Sequence, residues 1–423
     1  MKVTITPRRG LSGDVTAPPS KAHTHRALFA GLLSHGITEI ENPLLCDDTE
    51  TTATAISALG ASLERRTNVW TIRSNGHPTT VKKEIHCGES GVTLRFTIPI
   101  ASLTGEEIMF TGSEGLIRRP IEPLAEAMDQ LGVKVASSKR GIRVAGGPPL
   151  GGRIQIRGDV SSQFVSGLLL AAPMMREGLR LEMTSPLESR GYVRLTMEVM
   201  KHHGIQVKSN DEMSLFEIEP KQVYAPATDR VPGDFSSASF VMSAAAITNS
   251  KLLIRGLLQE NSEPDSVVVS ILSKMGIATQ FVPEGLFVEG GRLNGIIINI
   301  RDCPDLGPIL AVLGCYADGE TRITGAGRLR YKESDRLNAV ASELRVLGGE
   351  IEEINDSLLV HGPRSLQGGN VHSHGDHRVA MALSAAALRA KGQVVIEGAE
   401  CVSKSYPTFF NDLRLLGVEV FGR

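Results

Sequence analysis

The chain of 423 residues is poor in aromatic side chains, which make up 4% of it and include a single tryptophan. Proteins that bind single-stranded nucleic acid stack its bases on aromatic rings, so this scarcity counts against such a role. Positive and negative side chains nearly cancel, leaving a formal charge of −2. The composition therefore gives no reason to expect nucleic acid or an anionic membrane as a partner.

Cysteine is also scarce, and the five cysteines are scattered at positions 46, 87, 303, 315 and 401. Their odd number and the absence of any C-x-x-C spacing exclude a disulfide framework and a zinc knuckle, and predict reduced thiols in a cytoplasmic protein. The longest apolar runs are short and rich in alanine and glycine, so no membrane-spanning helix is predicted. The N-terminus has neither the layout of a secretory signal nor the character of a transit peptide.

What the sequence does contain is a recurring pattern of apolar residues, a glycine and a short apolar alternation. Successive marker glycines are 72 residues apart, except for 69 in the last interval. A register kept over the whole chain predicts six repeated units. The marker glycines are Gly60, Gly132, Gly204, Gly276, Gly348 and Gly417.

Each repeat has the features of two helices and four strands. The marker glycine is predicted to end a helix, because glycine adopts the left-handed cap conformation without steric penalty. The residues after it alternate, as in Val418-Glu419-Val420, which is typical of a half-buried strand. Helices rich in small residues are predicted at 161–172, 236–246 and 379–390. The unit is therefore β-α-β-α-β-β, and the N-terminal segment MKVTITP is a spare strand available to complete the sixth unit.

The repeats predict an α/β fold of two similar domains with three units each. A chain of this length is long for one core. Proline and glycine punctuation at Pro18-Pro19 and at Val231-Pro232-Gly233 indicates two crossings between domains. The predicted domains are residues 20–232, and residues 1–19 together with 233–423. An open solenoid is the alternative for any long repeat, but the spare N-terminal strand favours closure into a globule.

Positively charged residues interrupt the repeats in loops, beside glycine, serine and proline. Singly, each is explained by a solvated surface position. Because they recur in loops of repeats that are predicted to converge, they indicate a site for anions. The segments are PPSKAHTHRAL, CGESGVTLRF, GSEGLIRRP, RLRYKESDRL, GDHR and CVSKSYP.

Two uncharged segments support an anion site. Ser161, Ser162 and Gln163 lie at the predicted start of a helix, where hydroxyl and backbone N–H groups suit a phosphate. Plain N-capping accounts for only one of the two serines. The segment SRGY (189–192) offers a further serine and a tyrosine, although an ordinary turn explains it equally well.

Together these segments resemble the 5-enolpyruvylshikimate-3-phosphate (EPSP) synthases of the enolpyruvyl transferase superfamily. The match runs from Lys21 to Lys404 and is carried, in the family's order, by SGVTLR, RRPI, GDVSSQF, YKESDRL, GDHR and CVSKSYP. The resemblance implies two domains of three βαβαββ units, of the inside-out α/β barrel type, joined by a two-stranded hinge. It also implies a monomeric cytoplasmic enzyme of the shikimate pathway, which leads to chorismate and aromatic amino acids, with no cofactor.

The family transfers the enolpyruvyl group of phosphoenolpyruvate to the 5-hydroxyl of shikimate 3-phosphate and releases phosphate. By resemblance, shikimate 3-phosphate is bound by Lys21, Arg26, Ser161, Ser162, Gln163, Ser189, Tyr192, Asp305 and Lys332. Phosphoenolpyruvate is bound by Lys21, Gly91, Arg95, Arg119, Gln163, Arg336, Arg378 and Lys404. Asp305 would take the proton of the attacking hydroxyl, and the implied proton carriers for the methylene carbon are Lys21, Glu333 and Lys404.

The residue types suit such substrates. Each phosphate brings about −1.5 to −2 charges, so two ligands with their carboxylates carry roughly −6. Eight of the implied residues are cationic, and Asp305 and Glu333 offset two of those charges. The cations come from both halves of the chain, so their repulsion predicts an open unliganded form that closes on both substrates.

Three positions depart from the family pattern. Ala22 stands where many members have serine, Glu89 where asparagine is usual, and Val92 where threonine is common. These differences leave the shape of the pocket and the sensitivity to glyphosate-like inhibitors open. The charged residues of the reaction are all present.

Three other functions match parts of the sequence. The sister transferases acting on UDP-N-acetylglucosamine usually carry a cysteine in the loop before the Arg-Pro pair and Lys-Asn near the N-terminus, whereas residues 112–119 contain no cysteine and Lys21 precedes alanine. The segment 372–377 fits the H-x-H-x-D-H spacing of zinc hydrolases, but no histidine follows it, so no metal site is predicted. An RNA-end binding repeat protein is disfavoured by the net acidity and the few aromatic residues.

Overall fold

The computed structural model describes residues 1–422 and divides into two compact units. The mid-chain unit is Pro19–Val231, and the terminal unit combines Met1–Pro18 with residues 232–422. Each unit has a hydrophobic core built from its own residues. The chain therefore crosses twice, after Pro18 and after Val231.

Strands and helices alternate along the chain in the order that the repeat predicts. The strands are β1 (Lys2–Ile5), β2 (Asp14–Thr16), β3 (His35–Glu41), β4 (Ser62–Arg65), β5 (Val69–Asn75), β6 (Glu84–His86), β7 (Ile108–Thr111), β8 (Val133–Ser138), β9 (Gly141–Gly146), β10 (Gly152–Ile156), β11 (Leu179–Met183), β12 (Lys208–Ser209), β13 (Leu215–Ile218), β14 (Thr228–Arg230), β15 (Lys251–Arg255), β16 (Ala278–Val282), β17 (Gly285–Glu289), β18 (Ile297–Asn299), β19 (Gly319–Thr324), β20 (Glu350–Ile354), β21 (Ser357–Gly362), β22 (Gly369–His372), β23 (Val394–Glu397) and β24 (Val420–Gly422). The helices are α1 (Lys21–Leu33), α2 (Asp47–Ala58), α3 (Gly91–Ser102), α4 (Glu114–Ile117), α5 (Glu122–Gln130), α6 (Ser162–Ala171), α7 (Arg190–His202), α8 (Phe235–Thr248), α9 (Val267–Lys274), α10 (Gly307–Tyr316), α11 (Arg336–Val346), α12 (His377–Ala387) and α13 (Phe409–Leu415). Short 3-10 helices lie at Ala172–Met174, Pro264–Ser266, Pro304–Leu306, Gly327–Tyr331 and Ala399–Lys404.

The strands form four-stranded sheets that share one plan. In the sheet ordered β6-β7-β9-β8, β6 and β7 are parallel and separated in sequence by α3. Strand β9 is antiparallel to both β7 and β8, and α5 lies between β7 and β8 in sequence. This is the predicted β-α-β-α-β-β unit. The mid-chain unit also contains β14-β3-β5-β4 and β10-β11-β13-β12, and the terminal unit contains β2-β15-β17-β16, β18-β19-β21-β20 and β22-β23-β1-β24.

Three sheets take a strand from a distant part of the sequence. Strand β1 pairs with both β23 and β24, with Thr4 opposite Val395 on one side and Phe421 on the other. This confirms that the N-terminal strand completes the sixth unit. Strands β14 and β2 supply the first strands of the sheets containing β3 and β15, which was not predicted.

The marker glycines end helices as predicted. All six have a left-handed backbone, with φ between +82° and +98°. Each stands two residues after the last residue of its helix, as Gly132 does after α5. There the N–H of Gly132 donates to the carbonyl oxygen of Asp129 at 3.0 Å, which closes the helix end.

The helices rich in small residues form where they were predicted. They correspond to α6, α8 and α12, although α12 ends at Ala387 rather than at residue 390. Every residue of α8 is buried. Helices α3 and α6 approach so closely that a Cβ on Gly167 would lie 2.6 Å from the carbonyl oxygen of Arg95. Small side chains thus bring the starts of these helices together.

Two further expectations concern cysteine and the membrane. All five cysteines are buried and none forms a disulfide. Among residues 1–422, no helix has both the length and the apolar character needed to cross a membrane.

Gly132→Ala is expected to lower the free energy of unfolding by about 1 kcal/mol, because alanine is strained at a left-handed φ. A Cβ at this position meets nothing within 4 Å, so the backbone strain acts alone. Gly147→Ala is the matched control, since a Cβ there also enters open space but the backbone is not left-handed. Urea denaturation measures both variants, and equal midpoints would contradict the role given to the marker glycines.

Candidate active site

Three helices of the mid-chain unit that carry predicted site residues begin at a serine whose hydroxyl accepts a backbone N–H. Ser20, Ser90 and Ser161 cap α1, α3 and α6, with distances of 3.1, 3.2 and 3.3 Å. For Ser161 this is the capping role that the sequence allowed. Unpaired N–H groups and the helix dipole make such helix starts suitable for anions. The predicted site residues that begin these helices are Lys21, Gly91 and Ser162.

Five predicted residues of the mid-chain unit lie together around one guanidinium group. Arg95 Nη1 donates to Gln163 Oε1 at 2.8 Å and lies 3.5 Å from Ser161 Oγ. A Cβ built on Gly91 would lie 3.1 Å from Arg119 Nη1 and 3.6 Å from Arg95 Nη1. The absence of a side chain at residue 91 therefore leaves room for both guanidinium groups.

A second group of predicted residues surrounds Arg26, which is buried. Its Nε donates to Thr196 Oγ1 at 2.8 Å, and its Nη2 donates to the carbonyl oxygen of Tyr192 at 2.9 Å. The Tyr192 N–H in turn donates to the carbonyl oxygen of Ser189 at 3.0 Å, at the left-handed start of α7. Arg26, Ser189 and Tyr192 are thus held in one constellation.

Lys21 forms an ion pair that the sequence did not indicate. Its Nζ lies 2.8 Å from Asp48 Oδ2, and both side chains are largely buried. Asp48 is the second residue of α2. The carboxylate fixes the ammonium group and offsets one of the predicted positive charges.

In the terminal unit, the Asp305 carboxylate is surrounded by three predicted cations. Its Oδ1 accepts from Lys332 Nζ at 3.0 Å and from Arg336 Nη1 at 2.9 Å. Its Oδ2 lies 3.3 Å from Arg378 Nη2. Asp305 belongs to the 3-10 helix Pro304–Leu306, which leads directly into α10. The structure thus joins residues from three separate sequence segments.

Arg336 is bound on its other side by Asp376, and both side chains are fully buried. Arg336 Nε donates to Asp376 Oδ2 at 2.8 Å and Nη2 donates to Oδ1 at 3.2 Å, a bidentate pairing. Arg336 also pairs with Glu333. Asp376 caps α12 as well, by accepting the backbone N–H of Arg378 at 2.9 Å. One carboxylate therefore orients two predicted arginines.

These contacts shift the ionisation of the cluster. Burial alone would raise the pKa of Asp305, but the charges of Arg378, Lys332 and Arg336 outweigh it and hold that pKa well below its ordinary value. Burial lowers the pKa of Lys332, and Asp305 partly offsets this effect. Burial also opposes the charged form of Arg336, yet its three carboxylate neighbours raise its pKa. Asp305 is consequently ionised throughout the neutral pH range.

Lys404 ends the 3-10 helix Ala399–Lys404, and its Nζ donates to the carbonyl oxygen of Gly375 at 2.8 Å. Gly375 directly precedes Asp376 in the chain. The Lys404 side chain is therefore attached to the loop that carries the buried aspartate.

The sequence profile described as EPSP synthase (3-phosphoshikimate 1-carboxyvinyltransferase) matches residues 5–413. The chain belongs to the EPSP synthase family. The 3-phosphoshikimate 1-carboxyvinyltransferase of Clostridium kluyveri is 40% identical over 420 residues, covering 99% of this chain and 98% of its own. That of Methanocaldococcus jannaschii is 36% identical over 418 residues, covering 97% of each. A solved EPSP synthase from Acinetobacter baumannii has a TM-score of 0.82 at 26% identity, covering 100% of both chains.

These similarities confirm three predictions, namely the EPSP synthase family, the α/β fold class and the class of transferase. They do not favour the UDP-N-acetylglucosamine transferase.

Three residues depart from the family pattern. Ala22 contributes its carbonyl oxygen to Arg26 Nη1 at 2.8 Å, and Val92 packs against the mid-chain core. The Glu89 side chain is exposed.

The histidine motif of this EPSP synthase family member has other partners than a metal. Glu343 accepts the His372 N–H at 3.0 Å and lies 2.7 Å from His374 Nε2, while Asp376 holds Arg336. Over residues 1–422, no group of three or more histidine, cysteine, aspartate or glutamate side chains is arranged to hold a metal ion. Contacts with Glu343 and Arg336, which both lie on α11, account for His372, His374 and Asp376 of the motif.

The ion pairs of two carboxylates, Asp48 and Asp376, were not predicted from the sequence. Asp48 carried no local signal, because it stands in an acidic helix start that looks like ordinary dipole complementation. Asp376 was visible in the GDHR motif, but only the structure reveals its bond to Arg336. The count of positive charge made from the sequence is correspondingly too high by two.

Asp376→Ala is expected to lower the free energy of unfolding by about 3 kcal/mol, because it removes one partner of a buried charge pair. Glu289→Ala is the matched control in the same unit. Its pair with Lys251, at 3.1 Å, has both side chains more than half exposed, so the loss should stay below about 1 kcal/mol. Chemical denaturation measures both variants, and similar losses would refute the anchoring role of Asp376.

Proposed function

We propose that this chain transfers the enolpyruvyl group of phosphoenolpyruvate to the 5-hydroxyl of shikimate 3-phosphate and releases phosphate. The observation that carries the proposal is the cluster of Lys332, Arg336 and Arg378 around the Asp305 carboxylate. It offers charged donors for anionic groups beside a carboxylate able to accept a hydroxyl proton.

Shikimate 3-phosphate is assigned mainly to the mid-chain unit. The oriented Arg26 guanidinium and the serines at the start of α6 suit a carboxylate and a phosphate. The side chains assigned to this substrate are Lys21, Arg26, Ser161, Ser162, Gln163, Ser189, Tyr192, Asp305 and Lys332.

Phosphoenolpyruvate is assigned to residues of both units. In the mid-chain unit, Arg95 and Arg119, whose guanidinium groups both approach Gly91, are the proposed donors to the anion. In the terminal unit, the corresponding donors to the anion are the guanidinium groups of Arg336 and Arg378, next to Asp305. The full set is Lys21, Gly91, Arg95, Arg119, Gln163, Arg336, Arg378 and Lys404.

The reaction is an addition followed by an elimination. First the 5-hydroxyl oxygen bonds to C2 of phosphoenolpyruvate, its proton passes to Asp305, and the methylene carbon gains a proton from Lys21, Glu333 or Lys404. Then the methyl carbon returns a proton and the C2–O bond to phosphate breaks, which restores the double bond. Because the pKa of Asp305 is low, it is a weak base, and removal of the hydroxyl proton has to accompany C–O bond formation.

The charge balance has a consequence for proton uptake. The eight assigned cations are offset by four ion-paired carboxylates, Asp305, Glu333, Asp48 and Asp376, which leaves a surplus of four positive charges. Two bound substrates carry roughly −6. The negative charge of the substrates that the surplus cations do not neutralise has to be stabilised by helix N-termini or neutralised by added protons.

Lys21→Ala and Asp305→Asn should each lower kcat by about 10²- to 10⁴-fold, the contribution of a group that transfers a proton. Lys251→Ala, exposed on β15, serves as the control and should turn over like the wild type. The assay is phosphate release from phosphoenolpyruvate with shikimate 3-phosphate, and with UDP-N-acetylglucosamine in parallel. Release only with the sugar nucleotide would overturn the proposed function, and wild-type rates would remove the mutated residue from the mechanism.

We also propose that the chain works as a cytoplasmic monomer whose two units close on both substrates. Buried, reduced cysteines and cations assigned from both units support this. The nearly neutral net charge gives no reason to propose nucleic acid or a membrane as a partner.

Small-angle scattering should give a monomer mass and a smaller radius of gyration when both substrates are added. An unchanged radius would count against closure.

A further inference from the structure

Four side chains of the mid-chain unit form an unbroken run of hydrogen bonds that has no part in the proposed reaction. His25 Nδ1 lies 2.7 Å from Thr52 Oγ1, which lies 2.6 Å from Thr93 Oγ1. The Thr93 hydroxyl donates to Ser90 Oγ at 2.7 Å. We refer to these four residues as the hydroxyl chain. All four are fully buried, and they join three helices, because His25 lies on α1, Thr52 on α2 and Thr93 on α3.

His25 is an unfavourable residue at this position unless its ring serves the hydroxyl chain. Among the described residues, its second ring nitrogen, Nε2, has no hydrogen-bond partner. A buried polar atom without a partner destabilises a fold, and an apolar side chain of similar size would avoid that loss. The contribution of the histidine is therefore the bond from its Nδ1 to Thr52.

The contacts fix the direction of the hydrogen bonds. The single hydrogen of Thr93 Oγ1 goes to Ser90, so the 2.6 Å contact between Thr52 and Thr93 uses the Thr52 hydrogen. The other acceptor of Thr52, the Asp48 carbonyl oxygen, is farther away at 3.3 Å. Thr52 then has no hydrogen left for His25, so the ring donates from Nδ1. Each hydroxyl consequently donates away from His25.

The ring is also neutral, as this direction allows. Burial, and then the charges of Lys21 and Arg26, hold the pKa of His25 well below its ordinary value. A neutral imidazole has one N–H group, and the hydroxyl chain uses it at Nδ1. Nε2 is then a buried acceptor without a donor.

The hydroxyl chain ends where the proposed phosphoenolpyruvate site begins. Ser90 Oγ accepts both the Thr93 hydroxyl and the Thr93 backbone N–H, the latter at 3.2 Å, and so caps α3. Gly91 is the first residue of α3, and Arg95 follows one turn later. Both are assigned to phosphoenolpyruvate. The orientation of the Ser90 cap therefore fixes the part of α3 that carries these two residues.

We propose that His25 is a positioning residue for phosphoenolpyruvate, which acts through the rest of the hydroxyl chain to hold the start of α3. Without the Nδ1–H donor, the buried Thr52 oxygen loses a hydrogen bond, and α1 and α2 lose a contact that braces α3. Arg95 is then held less firmly against the anion. The inference rests on the proposed function, since it takes phosphoenolpyruvate as the anion at Arg95.

The test measures KM for phosphoenolpyruvate, by phosphate release, in variants that interrupt the hydroxyl chain at two places. His25→Leu removes the first donor, and Thr93→Val removes a middle hydroxyl but keeps the side-chain shape. Each should raise this KM about tenfold, on the order of the net contribution of one hydrogen bond. Weaker ground-state binding leaves kcat, and KM for shikimate 3-phosphate, within about twofold of wild type. The double variant should add little, because one break already interrupts the chain.

His25→Asn is the rescue, because its amide donates from nearly the same position as Nδ1. It should keep the wild-type KM. Thr38→Val is the matched control, since the Thr38 hydroxyl is also buried but has no hydrogen-bond partner within residues 1–422. If His25→Leu does not fold, as judged by circular dichroism, Thr52→Val replaces it with the same expected rise.

Three results would overturn the proposal. The first is an unchanged KM for phosphoenolpyruvate in both single variants, even with a loss of stability, since that would mark a purely structural contact. The second is a double variant whose effect equals the product of the single effects. The third is a His25→Asn variant that behaves like His25→Leu.

Two measurements separate this inference from the proposed function. Nitrogen NMR shifts of the His25 ring, assigned by comparison with His25→Asn, should identify the Nδ1–H tautomer in the unliganded protein. The Nε2–H tautomer would overturn the proposal, whatever the reaction. The proposed function fails separately if the wild type releases phosphate only with UDP-N-acetylglucosamine. KM for phosphoenolpyruvate is then measured with that acceptor, and the same variants decide the role of His25.

Discussion

Compensation of one buried guanidinium group organises the terminal unit's part of the site. Arg336 is bound by Asp305, Glu333 and Asp376, which come from three separate segments. A buried charge is tolerated only when paired and hydrogen-bonded, so these three loops have to keep their positions. Asp376 then fixes the start of α12, and with it Arg378. The Asp305 carboxylate and its cationic neighbours are thus parts of one ionic network.

The repeated unit explains why catalytic candidates collect at helix starts. In four of the six sheets a helix follows the first strand and leads into a parallel second strand, so equivalent loops recur. Gly91 and Ser162 begin such helices in the mid-chain unit, and Asp305 and Arg378 stand at equivalent places in the terminal unit. Backbone N–H groups and the helix dipole favour anions there. The repeat serves as a scaffold, and function depends on a few substitutions in corresponding loops.

Local signals were sufficient to predict much of this molecule. A glycine at a helix end and a helix rich in alanine are properties of short segments, so the marker glycines, α6, α8 and α12 could be read directly. The candidate site residues were implied by sequence motifs that resemble those of the family. By contrast, β2 and β14 have three residues each and no periodicity, and they join sheets formed by distant sequence. The partner Asp48 was equally hidden, because its importance comes from tertiary contact with Lys21.

The position of β1 constrains how the protein is made. This strand leaves the ribosome before its partners β23 and β24, from which the whole mid-chain unit separates it in sequence. The mid-chain unit has all its strands once residue 230 has emerged, whereas the terminal unit must wait until β24 has emerged. During that interval β1 and β2 are nascent edges in need of protection from aggregation. Ordered synthesis thus gives the two halves of a symmetric repeat very different folding histories.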